Sequence, residues 1–155
     1  ELDIDYDKRE NKNLLITGNT GVGKTFLSNC IAKEALDNAH SVVYIIAGEL
    51  FTILENITFN RDYDDDVSDA RLENIEKCDI LIIDDLGTEF RTPYVDSILF
   101  DLINTAVNEN RYMIVSTNLT TDQLESTYSQ RITSRIMGNF ETVLFFGDDI
   151  RLKQK

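Results

Sequence analysis

The chain has 155 residues, enough for one domain with a full hydrophobic core. Its 28 acidic and 15 basic residues give a net charge of −13, which argues against a protein that coats nucleic acid by charge alone and otherwise reads as simple solubility. Two cysteines, Cys30 and Cys78, and the single His40 do not make a zinc set, and no apolar run approaches the roughly 20 residues needed to span a bilayer.

In chain order, the first apolar run is NLLITG (13–18), of strand length and rich in Leu and Ile. A glycine-rich turn follows, then a helical pattern over 25–38 with Phe26, Leu27, Cys30, Ile31 and Ala35 spaced to face a core. VVYIIA (42–47) is a second strand. Between Gly48 and Lys77, ELFTILENI reads as a helix, NRDYDDDVSD as a solvated loop and ARLENIEK as another helix. DILIIDDL (79–86) is the third strand. Pro93 opens a helix with Thr92 as its cap and Val95, Ile98, Leu99, Leu102, Ile103 and Ala106 turned inward. YMIVSTN (112–118) and TVLFF (142–146) are the last two strands, separated by the helix start TTDQL and by SQRITSRIMG (129–138).

None of the five strands alternates strictly, as expected of strands buried on both faces. Strands alternating with helices predict an α/β fold, a mostly parallel five-stranded sheet covered on both sides. Both cysteines read as reduced packing residues of a cytosolic protein.

GNTGVGKT (18–25) matches G-x-x-x-x-G-K-[ST] between a strand and a helix, the context that gives the pattern its meaning. Glycines at 18, 21 and 23 permit a tight turn with backbone N–H groups exposed toward an anion, and the helix start adds its positive dipole end. The candidate nucleotide-binding set is Gly18, Asn19, Thr20, Gly21, Val22, Gly23, Lys24, Thr25 and Phe26. Lys24 is expected to reach the β- and γ-phosphates of ATP, and the Thr25 hydroxyl to ligate Mg²⁺. The third strand ends in two carboxylates. Ligands of such sheets sit beyond the carboxyl ends of the strands, so Asp84 is the candidate to hold Mg²⁺, directly or through water. Asp85 is placed to orient or deprotonate an attacking water; many ATPases carry the longer Glu there. Asn118, at the end of the fourth strand, can hydrogen-bond the γ-phosphate and that water together.

Arg131 and Arg135 share one face of a helix. They either pair as solvated residues with Glu125 or Glu141, or face outward to reach the nucleotide of a neighbouring subunit.

The order GNTGVGKT, ILIIDDLG, IVSTN, QRITSRI resembles the AAA+ ATPase domain of bacterial replicative helicase loaders, the DnaC/DnaI family, and the related IstB-type transposition helper ATPases. The resemblance runs from about Asn13 to Arg151. It implies a P-loop three-layer sandwich without the helical lid of most AAA+ proteins, and a single ATPase domain over 1–155 whose helicase-gripping N-terminal partner domain lies elsewhere in a longer chain. It implies ATP and Mg²⁺ as cofactors, self-association into a ring or spiral with ATP between subunits, Arg135 as the finger acting in trans, and Arg131 supporting that interface. Arg151 stands where it can replace a lid sensor. The implied partners are a replicative helicase and single-stranded DNA in the cytoplasm, with no membrane. A transposition helper, and an adaptor gated by nucleotide with little hydrolysis, remain alternatives. The segment from Glu49 to Arg61 carries no basic residue before Arg61, so DNA contact there is not expected; Phe51 and Phe59 are read as packing rather than base-stacking residues. Tyr6 and the residues before Asn13 are positional candidates for the adenine pocket.

Overall fold

The computed structural model describes residues 13–59, 66–109 and 111–147, with the backbone alone at 66–68. Its elements are β1 (Asn13–Gly18), α1 (Lys24–Asp37), β2 (Val42–Ile46), α2 (Ala47–Phe59), α3 (Asp66–Lys77), β3 (Ile80–Leu86), α4 (Pro93–Asn108), β4 (Tyr112–Thr117), α5 (Thr121–Thr127), α6 (Gln130–Asn139) and β5 (Phe140–Phe145). The five strands form one sheet in the order β2-β3-β4-β1-β5, and every pair is parallel.

Neighbouring residues of each central strand go to opposite faces, which is why the apolar runs are continuous. Leu15, Ile83 and Val115 enter the larger core with Leu50, Leu54, Leu99, Ile103, Leu124 and Ile132 of α2, α4, α5 and α6. Ile16, Ile82 and Ile114 enter a smaller core with Ile31, Ala32 and Ala35 of α1. The sheet is thus the middle of three layers.

α4 follows its pattern closely. The Thr92 hydroxyl accepts the Val95 N–H at 3.1 Å, and Pro93 takes a first-turn position where its missing N–H costs nothing. α5 starts with a reciprocal cap, Thr120 and Gln123 each satisfying the other's backbone N–H.

α1 departs from its expected phase. Phe26 is 74% exposed and Cys30 faces solvent. The inward residues are Lys24, Ser28, Ile31, Ala32 and Ala35. Lys24 must enter the turn before the helix, and that anchors the rotation; small Ser and Ala side chains then let the helix lie close on the sheet. Cys30 is therefore not a packing residue, whereas Cys78 is buried and burial pushes its thiol pKa up. Phe51 is buried, but Phe59 is 68% exposed with its ring 4.9 Å from that of Tyr94. α2 begins directly after β2, and β5 begins at Phe140, two residues before its apolar run.

Candidate functional site

β1 and β4 are neighbours in the sheet, yet the helices that follow them lie on opposite faces: α1 on one, α5 and α6 on the other. The chain therefore opens a crevice beyond the carboxyl ends of these two strands, where ligands of open parallel sheets bind.

The turn between β1 and α1 fills one side of it. Gly23, at the helix N-cap, has φ 103°, a left-handed conformation that other residues rarely adopt. Gly18 lies so close to the end of β5 that an added Cβ would stand 2.5 Å from the Phe145 carbonyl oxygen. Inside this turn Lys24 is 5% exposed. Its ammonium donates to the carbonyls of Gly18 and Asn19, both at 2.8 Å, and to Asn118 Oδ1 at 2.6 Å.

The other side is the tip of β3. The β3–β4 register shifts between Ile83 and Leu86, and Asp85 takes φ 57°. That bulge, with a non-glycine residue held left-handed, re-aims Asp85 relative to a regular strand, while Asp84 stays in register with Ile46 of β2. Asp84 is 5% exposed and accepts three hydroxyls. Thr25 Oγ1 donates to its Oδ2 at 3.0 Å, Tyr44 OH to the same oxygen at 2.7 Å, and Ser116 Oγ to Oδ1. Ser116 also accepts the Asp85 N–H at 3.0 Å, and Asn118 Nδ2 lies 3.4 Å from Asp85 Oδ1. Lys24, Thr25, Asp84, Asp85 and Asn118 thus meet in one cluster. A buried carboxylate surrounded by hydroxyls, beside a buried ammonium and a glycine turn, is a donor set that fits a hard divalent cation and a polyphosphate.

Tyr44 and Ser116 were not singled out from the sequence for this cluster. Both lie inside apolar strand patterns where a polar atom reads as a packing or strand-end residue; only pairing β2 with β3, Tyr44 against Ile82, brings the phenol to Asp84. Burial, then the hydrogen bond to Asp84, raises the Tyr44 pKa well above its ordinary value. The loop behind the carboxylates is braced as well. Glu89 accepts the Gly87 N–H at 2.7 Å and the Tyr128 hydroxyl; Arg91 stacks 4.6 Å from the Tyr128 ring centroid and grips Asp96 with two bonds of 2.6 and 2.8 Å.

Arg131 and Arg135 are not part of this cluster. Arg131 lies 4.5 Å over the Phe100 ring of α4, and among the described residues neither arginine pairs with Glu125 or Glu141 or bonds a cradle residue. Both are exposed on α6. Tyr6, Arg61 and Arg151 lie outside the described residues, as do residues 60–65 of the expected loop NRDYDDDVSD; its remainder, 66–69, is the first turn of α3 and not loop, so that helix starts four residues earlier than the pattern predicts. No described helix is long and apolar enough to cross a membrane.

Sheet order, glycine turn and acidic strand tip together define an α/β domain of the AAA+ P-loop class. The chain belongs to the IstB-like ATP binding protein family, whose model matches residues 4–155. It is 28% identical over 150 residues to the replicative helicase loader DnaI of Bacillus subtilis, covering 91% of this chain and 46% of that protein. A crystal structure of DnaI superposes with a TM-score of 0.70 at 28% identity, covering 89% of this chain and 72% of that one. The replication initiator DnaA bound to AMPPCP and single-stranded DNA gives 0.73 at 21% identity, covering 88% and 41%, a likeness of fold. The chain spans about half the length of the curated relatives it matches.

Proposed function

We propose that this domain binds Mg-ATP in the crevice between β1 and β4 and acts as an ATP-dependent loader of a replicative helicase onto single-stranded DNA. The observation that carries the nucleotide assignment is the meeting of Lys24 with Asn118 and of Thr25 with Asp84. The turn from Gly18 to Phe26 holds the phosphates, with Lys24 leaving its carbonyl partners for the β- and γ-oxygens. Thr25 and Asp84 hold magnesium, which neutralises phosphate charge. Asp85 orients the attacking water, and Asn118, already bridging Lys24 and Asp85, registers whether a γ-phosphate is present.

Arg135 is the finger. It is exposed and forms no ion pair among the described residues, so it is available to the nucleotide of a neighbouring copy, while Arg131 on Phe100 stiffens the face that presents it. The assembly is then a ring or spiral with ATP between subunits. The names of the relatives and the motif order support helicase loading. The family match supports a second reading, a transposition helper with the same ATP cycle and a transposase as partner.

The test is ATP turnover of the wild type and Arg135→Ala, each mixed with helicase and single-stranded DNA, and in parallel with transposase. Stimulation by helicase that is lost in the variant is the expected result. Stimulation by transposase alone would select the second reading. Unchanged turnover in the variant would remove the finger assignment. Tight binding without phosphate release under every condition would make the domain a nucleotide-gated adaptor.

A further inference from the structure

We infer that Tyr44 is a positioning residue for the magnesium site, fixing the Asp84 carboxylate so that the site accepts the metal with its nucleotide. The inference rests on the Mg-ATP reading above and goes beyond it, because Tyr44 belongs to neither the glycine turn nor the acidic strand tip.

A carboxylate offers about four lone-pair positions on its two oxygens. Among the described residues, Asp84 fills three of them with hydroxyl hydrogens: Thr25 and Tyr44 on Oδ2, Ser116 on Oδ1. None of these donors carries a charge. A carboxylate this buried is ordinarily matched by Arg or Lys. Here the described ion pairs include none to Asp84, so its negative charge is held in place by neutral groups and left for a cation.

The three donors differ in what they can do next. Thr25 is the proposed metal ligand, so its oxygen is shared with the metal. Ser116 is committed on its other side to the Asp85 N–H. Tyr44 reaches across from β2, the edge strand, with its OH 2.7 Å from Oδ2, and its oxygen also faces the Thr25 hydroxyl, so it braces the carboxylate from outside the two motifs. Its ring is rigid, with only two side-chain torsions, and packs against the smaller core beside α1. It therefore fixes the carboxylate plane at little entropic cost and leaves one acceptor position open. Partners of this kind, one step removed from the metal, commonly change metal affinity about 10-fold or more when lost.

The experiment measures binding, not turnover. A fluorescently labelled, non-hydrolysable ATP analogue is titrated onto the wild type and Tyr44→Phe, first in EDTA and then across a Mg²⁺ series. Circular dichroism melting confirms that the variant folds. The expected result is a Mg²⁺ half-point about 10-fold higher in Tyr44→Phe, with affinity in EDTA within about twofold of wild type. An unchanged Mg²⁺ half-point overturns the inference, as does an equal loss of affinity in EDTA and in Mg²⁺, which marks a structural role only. A lowered half-point overturns it in favour of competition between the phenol and the metal. Failure of the wild type to bind the analogue in either condition overturns the Mg-ATP reading itself, and is told apart because it needs no variant.

Discussion

The Lys24 ammonium lies 2.6 Å from Asn118 Oδ1, joining the first turn of α1 to the end of β4 across 94 positions of sequence. The same amide faces Asp85, so one side chain touches both halves of the crevice. Asn118→Ala removes that bridge. Turnover is expected to fall about 100-fold, the usual loss when one preorganised donor is deleted, with a smaller change in ATP affinity. Single-turnover kinetics beside equilibrium binding separates the two, and an equal loss in both would make Asn118 a binding group only.

Ser116 is fully buried, donates to Asp84 and accepts the Asp85 N–H. In Ser116→Ala that N–H loses its partner inside the protein. A destabilisation of about 1–3 kcal/mol is expected. Urea unfolding reads it as a lower midpoint at unchanged slope; an unchanged midpoint would mean water or a shift of the bulge replaces the hydroxyl.

Gly18→Ala would place a methyl 2.5 Å from the Phe145 carbonyl oxygen and 2.9 Å from the Phe145 Cβ, both on β5. The neighbour is largely backbone and cannot swing aside. A loss of about 2 kcal/mol or more is expected, seen as a lower melting temperature together with weaker nucleotide binding. A variant that melts like wild type would show that β5 moves freely.

The two arginines separate by what they touch. Arg131→Ala loses the stack on Phe100 and should cost about 0.5–1 kcal/mol of stability. Arg135→Ala should leave the unfolding midpoint unchanged and lower only turnover in the assembled state. The reverse pattern would exchange their roles.

Asp79 supplies a stability test against pH. Its Oδ2 accepts both the backbone N–H and the hydroxyl of Ser41 at 2.8 Å, and the backbone bond first, then the hydroxyl, lowers its pKa. The unfolded value is about 3.9. The folded value lies below it, so the contribution is complete above the unfolded pKa and is lost as pH falls through the folded pKa. Asp79→Asn should flatten this acid limb of the unfolding midpoint. An identical pH profile in wild type and variant would show that the bonds do not matter to folding.

Much of this was legible in the residues. All five strands and the Pro93 helix follow from apolar runs and a cap, because burial on both faces leaves an unmistakable pattern. That Lys24, Thr25, Asp84, Asp85 and Asn118 meet was legible because the glycine turn and the polar ends of parallel strands converge on one edge of the sheet. Tyr44 was not, since its contact with Asp84 depends on β2 lying beside β3. The bulge at Asp85 was not, since nothing in DDLG reveals a shift of register. The rotation of α1 differs from the expected one at Phe26 and Cys30, because the buried Lys24 and Ser28 set its phase together with Ile31, Ala32 and Ala35.

The most direct measurement is calorimetric titration of ATP, with and without Mg²⁺, onto wild type and Lys24→Ala, with thermal melting to confirm folding. The account predicts that wild type binds, more tightly with Mg²⁺, and that the folded variant loses about 100-fold or more in affinity, close to 3 kcal/mol. Equal affinity in the two proteins, or no binding by the wild type, would contradict it.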